Sequence, residues 1–229
     1  MIRTILFDLD DTILDFHKAE AIALTGTLTE LGVSPTPERI SLYSAINAAQ
    51  WRRLESGEIT RLEVLMTRFQ LFFDSIGEVC RPERAQALYE ARLSEGHYFI
   101  DGAIDVLNDL SRDYELYLVS NGNLRVQRGR LQSASISHYF RDIFISEQIG
   151  ADKPSTLFFE RCFARIPDFD RASAIIVGDS LTSDIRGGIR AGIHTCWFNP
   201  RRRQPDPDIP AEYEIQTLTD LIPLVRAIP

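Results

Sequence analysis

Five short apolar runs, each followed at once by a polar residue or glycine, constrain this chain most. They are Thr4–Phe7 (TILF), Leu116–Val119 (LYLV), Ile143–Ile145 (IFI), Ala174–Val177 (AIIV) and Thr195–Phe198 (TCWF). Each is rich in β-branched or aromatic residues and nearly continuous rather than alternating. Such runs suit strands covered on both faces. Helical patterns lie between them. Ile104, Leu107 and Leu110 recur at helical spacing within Ala103–Asp113. Pro154 is expected to open a helix in which Phe158/Cys162 and Phe159/Phe163 form i,i+4 pairs. Ser183–Ala191 is predicted as another, capped by Ser183 and closed by Gly192. The alternation implies right-handed crossovers and an α/β fold, a Rossmann-like doubly wound parallel sheet.

One region breaks the alternation. From His17 to Gly96 there are helical patterns and no convincing strand. Leu24, Leu28 and Leu31 share a face before Gly32; Thr36-Pro37 starts a second helix, Thr60 a third and Pro82 a fourth. The expected organisation is an α/β core of residues 1–16 plus 97–229 and an inserted all-helical cap of residues 17–96. The cap would cover the carboxyl end of the first strand, where open α/β sheets place their ligands. The stretch Asn199–Pro210, with four prolines, reads as a surface loop.

Composition narrows the function classes. At 229 residues the chain can bury a sizeable core in one or two domains. No apolar run approaches the roughly 20 residues of a membrane span, so no membrane partner is expected. A net charge of −8 argues against a nucleic-acid polymer as partner. Cys80, Cys162 and Cys196 show no CxxC spacing and read as reduced thiols. The apolar stretch at the start is too short for a signal peptide. Together these point to a cytoplasmic location.

Four constellations carry chemistry, and each follows a predicted strand. Asp8, Asp10 and Asp11 crowd three carboxylates, with Thr12, behind the first; such crowding is costly unless a cation or shared proton compensates. Ser120, Asn121 and Gly122 end another strand and offer a hydroxyl, an amide and backbone N–H groups to an oxyanion, although the same triplet is an ordinary turn. Lys153 precedes a helix start and can set a point charge beside a phosphate. Asp179 ends the AIIVG strand, and Asp184 follows one helical turn later.

Taken jointly, in the order Asp, Ser, Lys, Asp, the pattern resembles the haloacid dehalogenase superfamily of phosphohydrolases over the whole chain. DLDDT is similar to its first motif, Ser120 to its second, Lys153 to its third and GDSLTSD to its fourth. The chain departs from that pattern at Asp11, where the family usually has glycine. The resemblance implies Asp8 as nucleophile and Asp10 as general acid and base. It implies Mg²⁺ held by Asp8, the Asp10 backbone carbonyl and Asp179, phosphate binding by Thr12, Ser120, Asn121 and Lys153, and support from Asp184.

The stretches DLDDTILDF, VSNGNLRVQRGRL, FISEQIGADKP and GDSLTSDIRGGIRAGIHTCWFN further resemble the pyrimidine 5′-nucleotidase subfamily. That implies a small phosphorylated metabolite as partner, a nucleoside monophosphate. Alternatives that share these motifs are a phosphatase of phosphoglycolate or a sugar phosphate, a β-phosphoglucomutase-like mutase, a 2-haloacid dehalogenase and a non-catalytic binding module. The cap would read the leaving group. Phe16, His17, Trp51, Arg52 and Asn123 are candidates, with an aromatic ring available to stack on a base. The alternative for Trp51 is packing between cap helices, and for the arginine a solvated position. The four histidines show no metal-ligand spacing.

Overall fold

The computed structural model describes residues 1–79 and 81–229, so Cys80 lies outside the described residues. The chain begins with β1 (Thr4–Phe7), then runs through α1 (Phe16–Glu30), α2 (Pro37–Glu55), α3 (Arg61–Ile76) and α4 (Pro82–Leu93). It continues through α5 (Ala103–Leu110), β2 (Glu115–Ser120), α6 (Leu124–Ala134), β3 (Asp142–Ile145), α7 (Ser146–Ile149) and α8 (Thr156–Phe163). The last elements are β4 (Ala174–Gly178), α9 (Arg186–Ala191), β5 (His194–Phe198), β6 (Tyr213–Ile215) and α10 (Leu221–Ala227).

All six strands are parallel, in the order β3-β2-β1-β4-β5-β6. Phe7 sits beside Leu118 on one side and Val177 on the other. The strand order reverses between β1 and β4, so the carboxyl ends of β1, β2 and β4 open onto one crevice. Alternate residues feed opposite faces. Ile5, Phe7, Leu116, Leu118, Ile175 and Val177 pack with residues of α5 and α10. Leu6, Tyr117, Val119 and Ile176 pack with Phe158, Phe159, Cys162 and Phe163 of α8. Burial on both sides is why these strands read as continuous apolar runs. Each large side chain so buried stabilises the fold by about 1.5–3 kcal/mol.

Helices α1–α4 bury a separate cluster that includes Leu24, Leu28, Tyr43, Phe69, Phe72, Phe73 and Tyr89. Thr36 caps α2 with Pro37 in its first turn, and Thr60 and Glu63 form a capping box on α3. The helical stretch leaves and re-enters the sheet through adjacent backbone. The Asp15 N–H donates to Tyr98 O at 2.7 Å, and the Ile100 N–H donates to Ile13 O at 3.0 Å.

Several sequence expectations are corrected. Strand β6 is an addition; its three residues at the sheet edge carry too little apolar pattern to be seen. Helix α8 starts at Thr156 rather than Pro154, because the Ser155 hydroxyl accepts from the Leu157 N–H at 3.2 Å and caps it there. Ser180, not Ser183, is the cap before α9. Its hydroxyl accepts the Ser183 N–H at 3.2 Å, because a π-turn over Leu181–Ile185 comes first. Leu31 terminates α1 and is only partly buried. The loop Asn199–Pro210 has no strand or helix, yet Asn199 and Ile209 within it are buried.

Candidate active site

Lys153 organises the crevice. Its side chain is buried, and its Nζ donates to Asp8 Oδ1 at 2.6 Å, Asp184 Oδ1 at 2.7 Å and Val119 O at 3.0 Å. Burial works against the ammonium charge, but the Asp184 and Asp8 carboxylates outweigh it and raise the Lys153 pKa. Burial pushes the Asp8 carboxyl well above its usual range despite Lys153. It does the same to Asp179, with the Asp184 and Asp11 charges adding to the effect. Asp184 is fully buried, and its Oδ2 accepts the Ser180 N–H at 3.1 Å. Gly178 makes room for it: a Cβ there would lie 2.2 Å from Asp184 Oδ2.

Beyond β1 the backbone turns sharply. Asp11 has φ 57°, the left-handed region that glycine favours. An aspartate tolerates that conformation better than most residues. Its carboxylate accepts the Phe16 N–H at 2.9 Å and the His17 N–H at 3.2 Å, which satisfies the start of α1. His17 also stands 3.2 Å from Asp11 Oδ2. Burial raises the Asp11 pKa against the pull of His17.

Asp8, Asp10, Asn121, Lys153, Asp179 and Asp184 all line one cavity of about 440 Å³. Two expected phosphate ligands sit behind its wall. Thr12 is buried, with its hydroxyl 3.5 Å from Asp8 Oδ2. Ser120 is buried, and its Oγ accepts the Gly122 N–H at 3.1 Å and Gln127 Nε2 at 2.8 Å. Phe16, His17, Trp51, Arg52 and Asn123 line the cavity too. The side chain of Asn123 also caps α6 by accepting the Val126 N–H at 3.2 Å. Of the acids, Asp8, Asp179 and Asp184 place carboxylate oxygens within 4.8 Å of one another. Lys153 and Ser180 engage both oxygens of Asp184, whereas Asp179 keeps its Oδ1 and Asp8 keeps its Oδ2, touched only by Thr12 at 3.5 Å, for a cation. Oxygen donors of this kind suit a hard divalent cation.

Several residues of the site escaped the sequence reading. Arg203, from the proline-rich loop, donates to Asp179 Oδ2 at 3.2 Å. Arg61, at the start of α3, donates to the carbonyls of Asn121 and Gly122 at 2.8 Å each and also reaches Ser146 and Asp152. Glu55 of α2 accepts from the Thr182 hydroxyl at 2.5 Å. Farther into the helices, buried Glu20 accepts from Asn47 Nδ2 at 2.7 Å and from Ser44, and Arg68 donates to Asn47 Oδ1 at 3.1 Å. Glu20, Asn47 and Arg68 are part of the cavity wall. Finally, Gln127 and Arg130 hold Asp10. They stand three apart in the sequence, one helical face; no signal of that kind marks Arg203.

A family model of haloacid dehalogenase-like hydrolases matches residues 5–198. The chain belongs to the haloacid dehalogenase-like hydrolases. It is 42% identical to the HAD-hydrolase YfnB of Bacillus subtilis (strain 168) over 219 residues, covering 96% of this chain and 93% of that protein. It is 38% identical to the pyrimidine 5′-nucleotidase PynA of Streptococcus pneumoniae (strain ATCC BAA-255 / R6), over 96% of this chain and 93% of that one. A crystal structure of YfnB bound to magnesium superposes with a TM-score of 0.94 at 41% identity and covers 98% of both chains. Among haloacid dehalogenase-like hydrolases this one has phosphatases and nucleotidases as relatives and is a phosphoric monoester hydrolase. A carboxylate at a strand end, a buried lysine beside it and a second carboxylate two residues on suit that chemistry. No helix among the described residues is long and apolar enough to cross a membrane.

Proposed function

We propose that this phosphatase hydrolyses a pyrimidine nucleoside 5′-monophosphate through an aspartyl-phosphate on Asp8. The observation that carries the reading is that Asp8 and Asp10 share one cavity with a buried lysine that contacts Asp8 at 2.6 Å. The nucleotide part takes its support from the relative named PynA and from Phe16 and Trp51 in the cavity wall, where rings can stack on a base.

In the first step a carboxylate oxygen of Asp8 forms a bond to phosphorus as the ester P–O bond breaks. The departing oxygen takes the proton of the Asp10 carboxyl group and leaves as the nucleoside hydroxyl. In the second step Asp10, now a carboxylate, takes a proton from water. The water oxygen bonds to phosphorus, and Asp8 leaves as a carboxylate. Lys153 offsets the charge of Asp8 and of the phosphoryl oxygens throughout, and Asn121 fixes the lysine backbone. Asp8, Asp179 and the Asp10 carbonyl would hold Mg²⁺, which supplies positive charge against the phosphoryl oxygens when bound. In this reading residues 17–96 act as a cap that reads the leaving group over a core of residues 1–16 and 97–229. A cytoplasmic location belongs to the same proposal.

A substrate panel tests it. The protein, stripped with EDTA and then assayed with and without Mg²⁺, is expected to release phosphate from UMP and dTMP faster than from phosphoglycolate or sugar phosphates. Asp8→Asn is expected to abolish turnover. Equal or better rates on the other monoesters would remove the nucleotidase reading, and turnover that survives Asp8→Asn would remove the aspartyl-phosphate.

A further inference from the structure

Asp10 sits in a turn beyond β1, where neither helix nor strand fixes its side chain. Both of its oxygens are nevertheless held, and by one helix. Its Oδ2 accepts from Gln127 Nε2 at 2.5 Å, and its Oδ1 accepts from the Arg130 guanidinium. The two holders stand at i and i+3 on α6 and are tied together, Arg130 donating to Gln127 Oε1 at 3.2 Å. Both are buried, whereas the Asp10 side chain keeps 29% of its exposure and lines the cavity.

Arg130 reaches in a second direction. Its Nε donates to Gly96 O at 3.0 Å, in the segment that follows α4. Helix α6 is pressed against that segment: a Cβ on Gly129 would lie 2.7 Å from Ser94 Cβ and 2.8 Å from Ser94 O. The guanidinium therefore bridges the end of the helical insertion and the second acid of DLDDT. It does so at a cost, because its third nitrogen is buried without a partner. A guanidinium retained only for packing has no need of that geometry. One retained to aim a carboxyl group does, since its planar fork fixes direction as well as charge.

We propose that Arg130, assisted by Gln127, is a positioning residue that aims Asp10 at the leaving-group oxygen and ties that aim to the position of Gly96. This rests on Asp10 acting as the acid and base of the reaction. Arg130 steadies Oδ1, while Oδ2 keeps a second lone pair beside its bond to Gln127 and can carry the proton there. Arg130 does not line the cavity, so its effect passes through Asp10.

Leaving groups of different quality separate this role from a structural one. An alkyl phosphate releases an alkoxide that must be protonated, whereas p-nitrophenolate leaves without a proton. Arg130→Met and Arg130→Lys would be compared with wild type on p-nitrophenyl phosphate, by first-turnover release of nitrophenol, and on the best alkyl monoester among dTMP, phosphoglycolate and ribose 5-phosphate. Circular dichroism and thermal melts would confirm folding. The ratio of alkyl to aryl rates is expected to fall tenfold or more in Arg130→Met, in kcat rather than KM, and to recover in part in Arg130→Lys. Equal losses on both substrates, or no loss, would overturn the proposal. If Arg130→Met does not fold, an unchanged ratio in Arg130→Lys overturns it. A wild type that hydrolyses none of these esters would overturn the phosphatase reading, and this inference with it.

Discussion

The side-chain amide of Asn121 pairs with the backbone of Lys153 in both directions. The Lys153 N–H donates to Asn121 Oδ1 at 2.8 Å, and Asn121 Nδ2 donates to Lys153 O at 2.9 Å. The loop after β2 is thereby fastened to the residue whose ammonium group reaches Asp8. Asn121→Ala breaks both bonds and is expected to cost about 1–3 kcal/mol of stability. It should also lower kcat/KM by roughly tenfold, the effect of a misplacement of about an ångström at most. Asn121→Asp keeps the acceptor and loses the donor, so it should fall between the two. Calorimetry and phosphate release measure these effects.

Removal of the Lys153 charge leaves Asp8 and Asp184 buried and facing each other. Lys153→Met is expected to destabilise the metal-free protein by about 3–5 kcal/mol at neutral pH, as breaking a buried ion pair does. The sign of the pH dependence follows from burial, which already holds Asp8 above its usual range. Without the lysine the folded Asp8 carboxyl binds its proton more tightly than the unfolded one, so the variant should regain stability as the pH falls from 8 toward 5. Thermal melts across that range, at constant ionic strength, check this.

Glu20 offers a second pH test, away from the metal and phosphate residues. Burial raises its pKa, in spite of the hydrogen bonds from Ser44 and Asn47. A raised carboxyl stabilises the fold when protonated and loses that contribution as the pH rises from the unfolded value of about 4.3 through the folded one. Glu20→Gln removes the ionisation and can still accept from Asn47. It should therefore be more stable than wild type at pH 8, by about 1 kcal/mol, with the gap closing near pH 4. A gap that is constant with pH would assign the effect to packing instead.

The parts of this molecule that were legible in the sequence are those with one dominant force. The strands read directly because both faces of the sheet are covered, and β1 has all four residues buried. Asp8, Ser120 and Asp179 each have an ordinary structural reading alone and were legible through their shared place at the ends of β1, β2 and β4; Lys153, which lies beyond β3 and α7, was legible only as part of that joint pattern. Asp11 was legible only as a departure; its left-handed backbone and its bonds to the start of α1 show why aspartate can stand where glycine is usual. Residues that arrive from elsewhere were not legible. Arg130 reaches the site from a helix face and Arg203 from a proline-rich loop, and in each case the partner lies far off in sequence, at position 10 or 179. Such pairs depend on tertiary packing, which periodicity does not encode.

The backbone contact between Asp15 and Tyr98 has an evolutionary reading. Two backbone segments that touch at 2.7 Å could be joined by a turn of two or three residues, the length of an ordinary hairpin loop. The sheet, Lys153 and the two carboxylates it contacts, Asp8 and Asp184, would then remain on one continuous scaffold, with the segment between those two residues exchangeable as a cassette. If that cassette reads the leaving group, as proposed, a lineage could change which alcohol it accepts by exchanging it, provided that a carbonyl still met Arg130 where Gly96 does now.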